Sequence, residues 1–120
     1  MSSQNDNGFK SFLASGAISA YLAVDVQTDG TIKACANGVT GVGVLQEDAA
    51  DANYASVKLW SAPGTFLVAV SGSAVTPATT YAIITGGFAG AVNGTTAPAV
   101  LKGLSAGVAS NGIVKEFAKA

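Results

Sequence analysis

From residue 20 onward the chain alternates short apolar or mixed runs with turn residues. The runs cover 20–26, 31–36, 42–46, 55–60, 65–70, 80–85, 100–104 and 112–117. Between them recur Asp29-Gly30, Asn37-Gly38, Asn93-Gly94 and Asn111-Gly112. These dipeptides favour hairpin turns because both residues tolerate positive φ. Short β-type runs at this spacing predict an all-β fold, a small barrel or sandwich of short antiparallel strands. Pro63, Pro77 and Pro98 fall between runs, where a missing N–H costs no ladder bond. Helix is expected for one turn at most, around 47–51. Within 55–60, alternation places Val57 and Leu59 on one face and Ser56, Lys58 and Trp60 on the other.

Residues 1–16 lack this pattern and read as an irregular N-terminal arm, polar and then aromatic, leaving 17–120 as a single β domain. Phe9 and Phe12 in that arm are candidates to dock on a partner or to fold back on the domain. A weak internal repeat runs through 21–60 and 81–117. Tyr21-Leu22-Ala23-Val24 recurs as Tyr81-Ala82-Ile83-Ile84, and Gly43-Val44-Leu45 as Gly103-Leu104, both offset by 60. Val57-Lys58-Leu59-Trp60 recurs as Val114-Lys115-Glu116-Phe117, offset by 57. The repeat predicts two similar β-units facing each other across one core.

Composition changes the picture mainly through what is missing. The chain has no histidine, its six basic residues are all lysines, and charged residues make up 11% of the total. Histidine is the usual proton carrier near neutral pH, and arginine the usual fork for carboxylate and phosphate. The lysines form no cluster of the kind that displaces counterions from a phosphate backbone, so nucleic acid is not an expected partner. No run approaches the roughly 20 apolar residues of a membrane span. Ala17-Ile18-Ser19-Ala20 imitates a signal cleavage site, but what precedes it is too short and too polar for a leader. Alanine supplies 23 residues, so the core is thin for its apolar share of 49%. A thin core and sparse charge favour association with other copies or a larger assembly.

The candidate chemistry is correspondingly bland. Glu47, Asp48 and Asp51 are the one acidic cluster, without EF-hand spacing, and read as a solvated turn rim. Asp25 and Asp29 flank a hairpin turn. Gly38-Val39-Thr40-Gly41-Val42-Gly43 imitates a phosphate loop but lacks its lysine and following helix; tight packing between β elements explains its glycines better. Serines have no histidine to activate them. Cys35 is alone, so no intrachain disulfide forms, and it reads as a small buried hydrophobe. No catalytic residue, metal or cofactor is expected. Trp60, on the polar face of its strand, is a candidate interface anchor or else caps the core where the strand ends. Phe117 shares a face with Lys115 in the same way. With Tyr54 and Asn53, Trp60 could also form a carbohydrate- or receptor-binding site of the kind found on fibres and adhesins.

The stretch 41–50, Gly-Val-Gly-Val-Leu-Gln-Glu-Asp-Ala-Ala, leads into Val57-Lys58-Leu59-Trp60, and Gly103-Leu104-Ser105-Ala106 follows later. In this style of sequence the chain resembles the small capsid decoration (cement) proteins of tailed phages, over about 100 residues. The resemblance implies a non-enzymatic virion protein on the capsid exterior, bound to the major capsid protein and reinforcing contacts between capsomers. It also implies a homo-oligomer, with a trimer favoured. Phe9, Phe12, Trp60 and Phe117 are the expected partner-interface residues.

Overall fold

A computed structural model describes residues 8–70, 78–91, 99–104 and 113–119. Residues 1–7, Pro77, Pro98, Ser105, Ala106 and the turns Asn93-Gly94 and Asn111-Gly112 lie outside the described residues. The fold is all-β. Its strands are β1 (Phe9–Leu13), β2 (Ala23–Val26), β3 (Ile32–Ala34), β4 (Gly43–Leu45), β5 (Tyr54–Leu59), β6 (Phe66–Val70), β7 (Thr80–Ile84), β8 (Phe88–Ala91), β9 (Ala99–Gly103) and β10 (Ile113–Lys119). A 3₁₀ turn at Thr85–Gly87 joins β7 to β8.

The strands divide into two units. The first has the order β1-β5-β4-β2-β3, with every ladder antiparallel. The second is a closed barrel in the order β6-β10-β9-β7-β8, completed by a parallel contact of Val70 with Ala89. In the first unit the parallel bridge Ala14–Ile32 joins the end of β1 to β3. Each strand of the second unit therefore occupies the place of the strand five earlier. Following the registers around the circuit equates Ala14 with Val70, Val24 with Tyr81, Ile32 with Ala89, Gly43 with Leu101 and Val57 with Phe117. The circuit closes without contradiction. The strands matched in sequence occupy equivalent places, but the ladders slide each match by two or three residues. Trp60 is thus not the counterpart of Phe117.

There are two cores rather than one between facing units. Ile18, Val24, Ile32, Leu45 and Val57 fill the first unit, with Phe12 and Leu59 packed against them. The second cluster fills the barrel with Phe66, Val68, Tyr81, Ile83, Leu101 and Phe117, and takes in Ala23, Cys35, Val44 and Trp60 from the first unit. Backbone hydrogen bonds reinforce this joint. Ala69 N–H donates to the Tyr21 carbonyl (2.8 Å), Gly38 N–H to Ile83 (3.1 Å) and Gly86 N–H to Cys35 (3.0 Å). Gly87 lies so close to the Ala23 backbone that a Cβ there would overlap it.

Two sequence expectations are corrected. Residues 9–13 are not an irregular arm but β1, paired along its length with β5. The segment 47–51 forms no helical turn. Ala49 instead bridges Ile18, and the carboxylates around it serve neighbouring backbone N–H groups. A helix there would have to give up those contacts.

Candidate partner interface

Cross-strand alternation sorts the outer face of the β1–β5 ladder. Phe9, Ser11 and Leu13 stand opposite Lys58, Ser56 and Tyr54. Phe9 is half-buried, with the Lys58 ammonium 5.8 Å from its ring centroid. An open groove of about 350 Å³ runs beside it, lined by Phe9, Lys10, Ser11 and Ser56. Phe12 points to the opposite side, half-buried against the first core, with Lys10 Nζ 5.7 Å from its ring. β1 therefore divides its two aromatics between the groove and the core.

Trp60 and Phe117 sit elsewhere. Trp60 is 7% exposed and meets Phe66 edge-on, ring centroids 5.0 Å apart and planes at 65°. Its Nε1–H donates to the Thr40 carbonyl at 3.0 Å, which satisfies the indole inside the joint. Phe117 is fully buried, edge-on to Tyr81 at 5.6 Å. Both are core residues, so their expected place in a partner interface is corrected, and Trp60 takes the alternative of capping the core where its strand ends. Lys58 and Trp60 share a face by alternation, but that face is covered at the Trp60 end by the second unit. A carbohydrate platform built from Trp60 and Tyr54 is excluded for the same reason, since Tyr54 is 73% exposed while the indole is buried.

Lys58 ties the linker between units. Its ammonium donates to the Thr65 carbonyl and lies 4.8 Å from the Phe66 ring centroid. Thr65 in turn donates its hydroxyl to Glu116 of β10.

The other candidate groups are absorbed by structure. Asp51 accepts Gly16 N–H (2.8 Å), Asp48 accepts Ala20 N–H (2.8 Å) and Glu47 accepts Ser56 N–H (3.0 Å). The acidic rim thus pins the 15–20 loop and the start of β5. Asp29 accepts both the hydroxyl and the N–H of Thr31, and those bonds, the hydroxyl first, hold its carboxyl below the usual 3.8. A Cβ at Gly41 would collide with the Val24 carbonyl and Cys35 Sγ, and one at Gly43 with the β5 backbone. The phosphate-loop likeness of this segment is therefore a matter of close packing. Burial pushes the Cys35 thiol up to about 12. Among the described residues no group of three or more potential metal ligands comes together.

Sequence reasoning missed the exposed apolar face of the second unit. Leu67 (43% exposed), Val114 (37%) and Leu104 (44%) surround Glu116 on the outside of β6, β10 and the end of β9. Leu67 lies between buried Phe66 and Val68, and that alternation was the available signal.

No protein-family profile and no curated protein matches the chain. Among solved structures, the chain is similar to the N base of the head fibre gp8.5 of bacteriophage phi29. The TM-score is 0.70 at 17% sequence identity, over 93% of this chain and 94% of that one. This likeness establishes a shared fold along nearly the whole length of both.

Proposed function

We propose that this chain is a virion structural protein on the outer surface of a phage head. In this reading it binds the major capsid protein lattice as a homo-oligomer, a trimer being favoured, and reinforces contacts between capsomers. The observation that carries it is the end-to-end fold similarity to a module named as the base of a head fibre. A base module matched over 94% of its length supports a surface-attachment role for this two-unit body. Affinity would come from small apolar contacts and main-chain pairing repeated over many copies.

The same similarity favours a second reading, in which the chain is the attachment base of a fibre and leaves shell strength unchanged. Two measurements separate them. Co-sedimentation with emptied heads of the encoding phage tests attachment, and failure to bind at any concentration rejects both readings. The temperature at which filled heads release DNA, with and without bound protein, tests reinforcement. A rise supports the capsomer-reinforcing role, and an unchanged temperature with full occupancy supports the fibre base.

A further inference from the structure

Within one chain, the first unit plugs into the second through a few backbone groups. Tyr21 holds a left-handed backbone (φ 65°) that aims its carbonyl at Ala69 N–H. Ile83 offers its carbonyl to Gly38 N–H, and Gly87 (φ 84°) makes room for the Ala23 backbone. The ladder correspondence gives Tyr21, Ala23 and Val44 on one side of this joint, and Ala69, Ile83 and Gly87 on the other, counterparts on the opposite unit.

Ala78 occupies the place of Tyr21. Its φ is 66°, and its N–H donates to the Gly103 carbonyl (2.9 Å) just as Tyr21 N–H donates to Leu45 (2.7 Å). The return bond is also kept: Leu45 N–H to Leu22 is matched by Gly103 N–H to Thr79. Ala78 is exposed. On the first unit, Leu13 stands in the place of Ala69 and Val26 in that of Ile83. Gly30 stands in that of Gly87, at φ 88° in the same hairpin position. Gly87 has the Ala23 backbone against it, whereas a Cβ at Gly30 would meet nothing within 4 Å. A plug on the second unit and a socket on the first both face outward.

Their charges are opposite. Where the internal joint buries Ala23 and Val44, the outward plug carries Thr80 and Lys102. Asp25 and Asp29 lie beside Gly30 on the socket, with Lys33 across the ladder from Asp25, so carboxylates outnumber lysine there by two to one. Residues 8–64 hold five carboxylates and three lysines, and residues 65–119 hold three lysines and one carboxylate. A polar plug of one sign and a socket of the other, both on every chain, identify the occupant as a second copy.

We propose that copies join head to tail by repeating the internal joint. The second unit of one copy seats on the first unit of the next, its Ala78 carbonyl taking Leu13 N–H and its Lys102 facing Asp25 and Asp29. Such a contact is heterologous and closes into a ring when the rotation allows. The inference deepens the self-association in the proposed function and rests on it.

Sedimentation velocity of the full chain at low salt, over a broad concentration range, tests it. The wild-type chain should self-associate, and Lys102→Glu should weaken association at least tenfold. Adding Asp29→Lys to Lys102→Glu should restore it. Leu13→Pro deletes an N–H that points away from β5 and should weaken association as Lys102→Glu does, with circular dichroism checking the fold of each variant. A monomeric wild type, undiminished association in a folded Lys102→Glu, or failure of the charge swap to restore it overturns the proposal. A chain that stays monomeric yet still co-sediments with heads overturns this inference alone.

Discussion

Glycines 30 and 87 hold equivalent hairpin positions with nearly the same positive φ, and differ in what lies against them. Their alanine variants therefore separate backbone strain from contact. Gly30→Ala should cost about 1 kcal/mol, the left-handed penalty alone. Gly87→Ala adds a collision with the Ala23 backbone and should cost about 3 kcal/mol, read from urea midpoints. Trp60 is a second residue at the joint whose contribution can be isolated. Trp60→Phe keeps an aromatic ring beside Phe66 but leaves the Thr40 carbonyl without its donor, for a loss of about 2 kcal/mol in the same measurement.

Asp29 shows how one residue sets an element, the β2–β3 hairpin. Its carboxyl is held below 3.8, so the charged form stabilises the folded hairpin above that pH. This contribution falls away as pH drops through the lowered folded value. Thermal melts between about pH 5 and pH 2 should accordingly decline less steeply in Asp29→Asn than in the wild type. Most strands were legible because β-branched runs bounded by turn residues leave few alternatives. β1 was not, since Phe9-Lys10-Ser11-Phe12-Leu13 has no clean period of two and depends on β5 for its pairing. β8 was missed because Phe88-Ala89-Gly90-Ala91 has almost no side-chain signal, and Gly90 is there to clear Ile84. The repeat was visible by strand but not by register, because Ala, Gly and Val match one another at many offsets while only ladder bonds fix the pairing. For the candidate site, the sequence singled out Phe9 as an aromatic that docks on a partner or folds back, and pairing with β5 leaves it half-buried beside the groove. For Trp60 it left an interface anchor and a core cap both open, because alternation says which residues share a face and not what covers that face; burial against Phe66 decides for the cap.

For the whole molecule, the second core draws on both units, so neither can lose its packing without disturbing the other. Unfolding should be one transition. Trp60 fluorescence, far-UV dichroism and labelling of the Cys35 thiol should share a single midpoint, and an earlier change in any one would reveal separate unfolding of the units. The first and last strands in chain order are also held very differently. β10 is clamped on both sides, by five residue pairs with β6 and three with β9. β1 has one full ladder, with β5, and beyond it a single bridge to β3. Under tension the two ends are therefore unequal. A load applied through β10 must shear two ladders of a closed barrel together, while a load on β1 can peel one ladder bond by bond. A body that must resist being pulled from a surface would hold best when drawn by its β10 end.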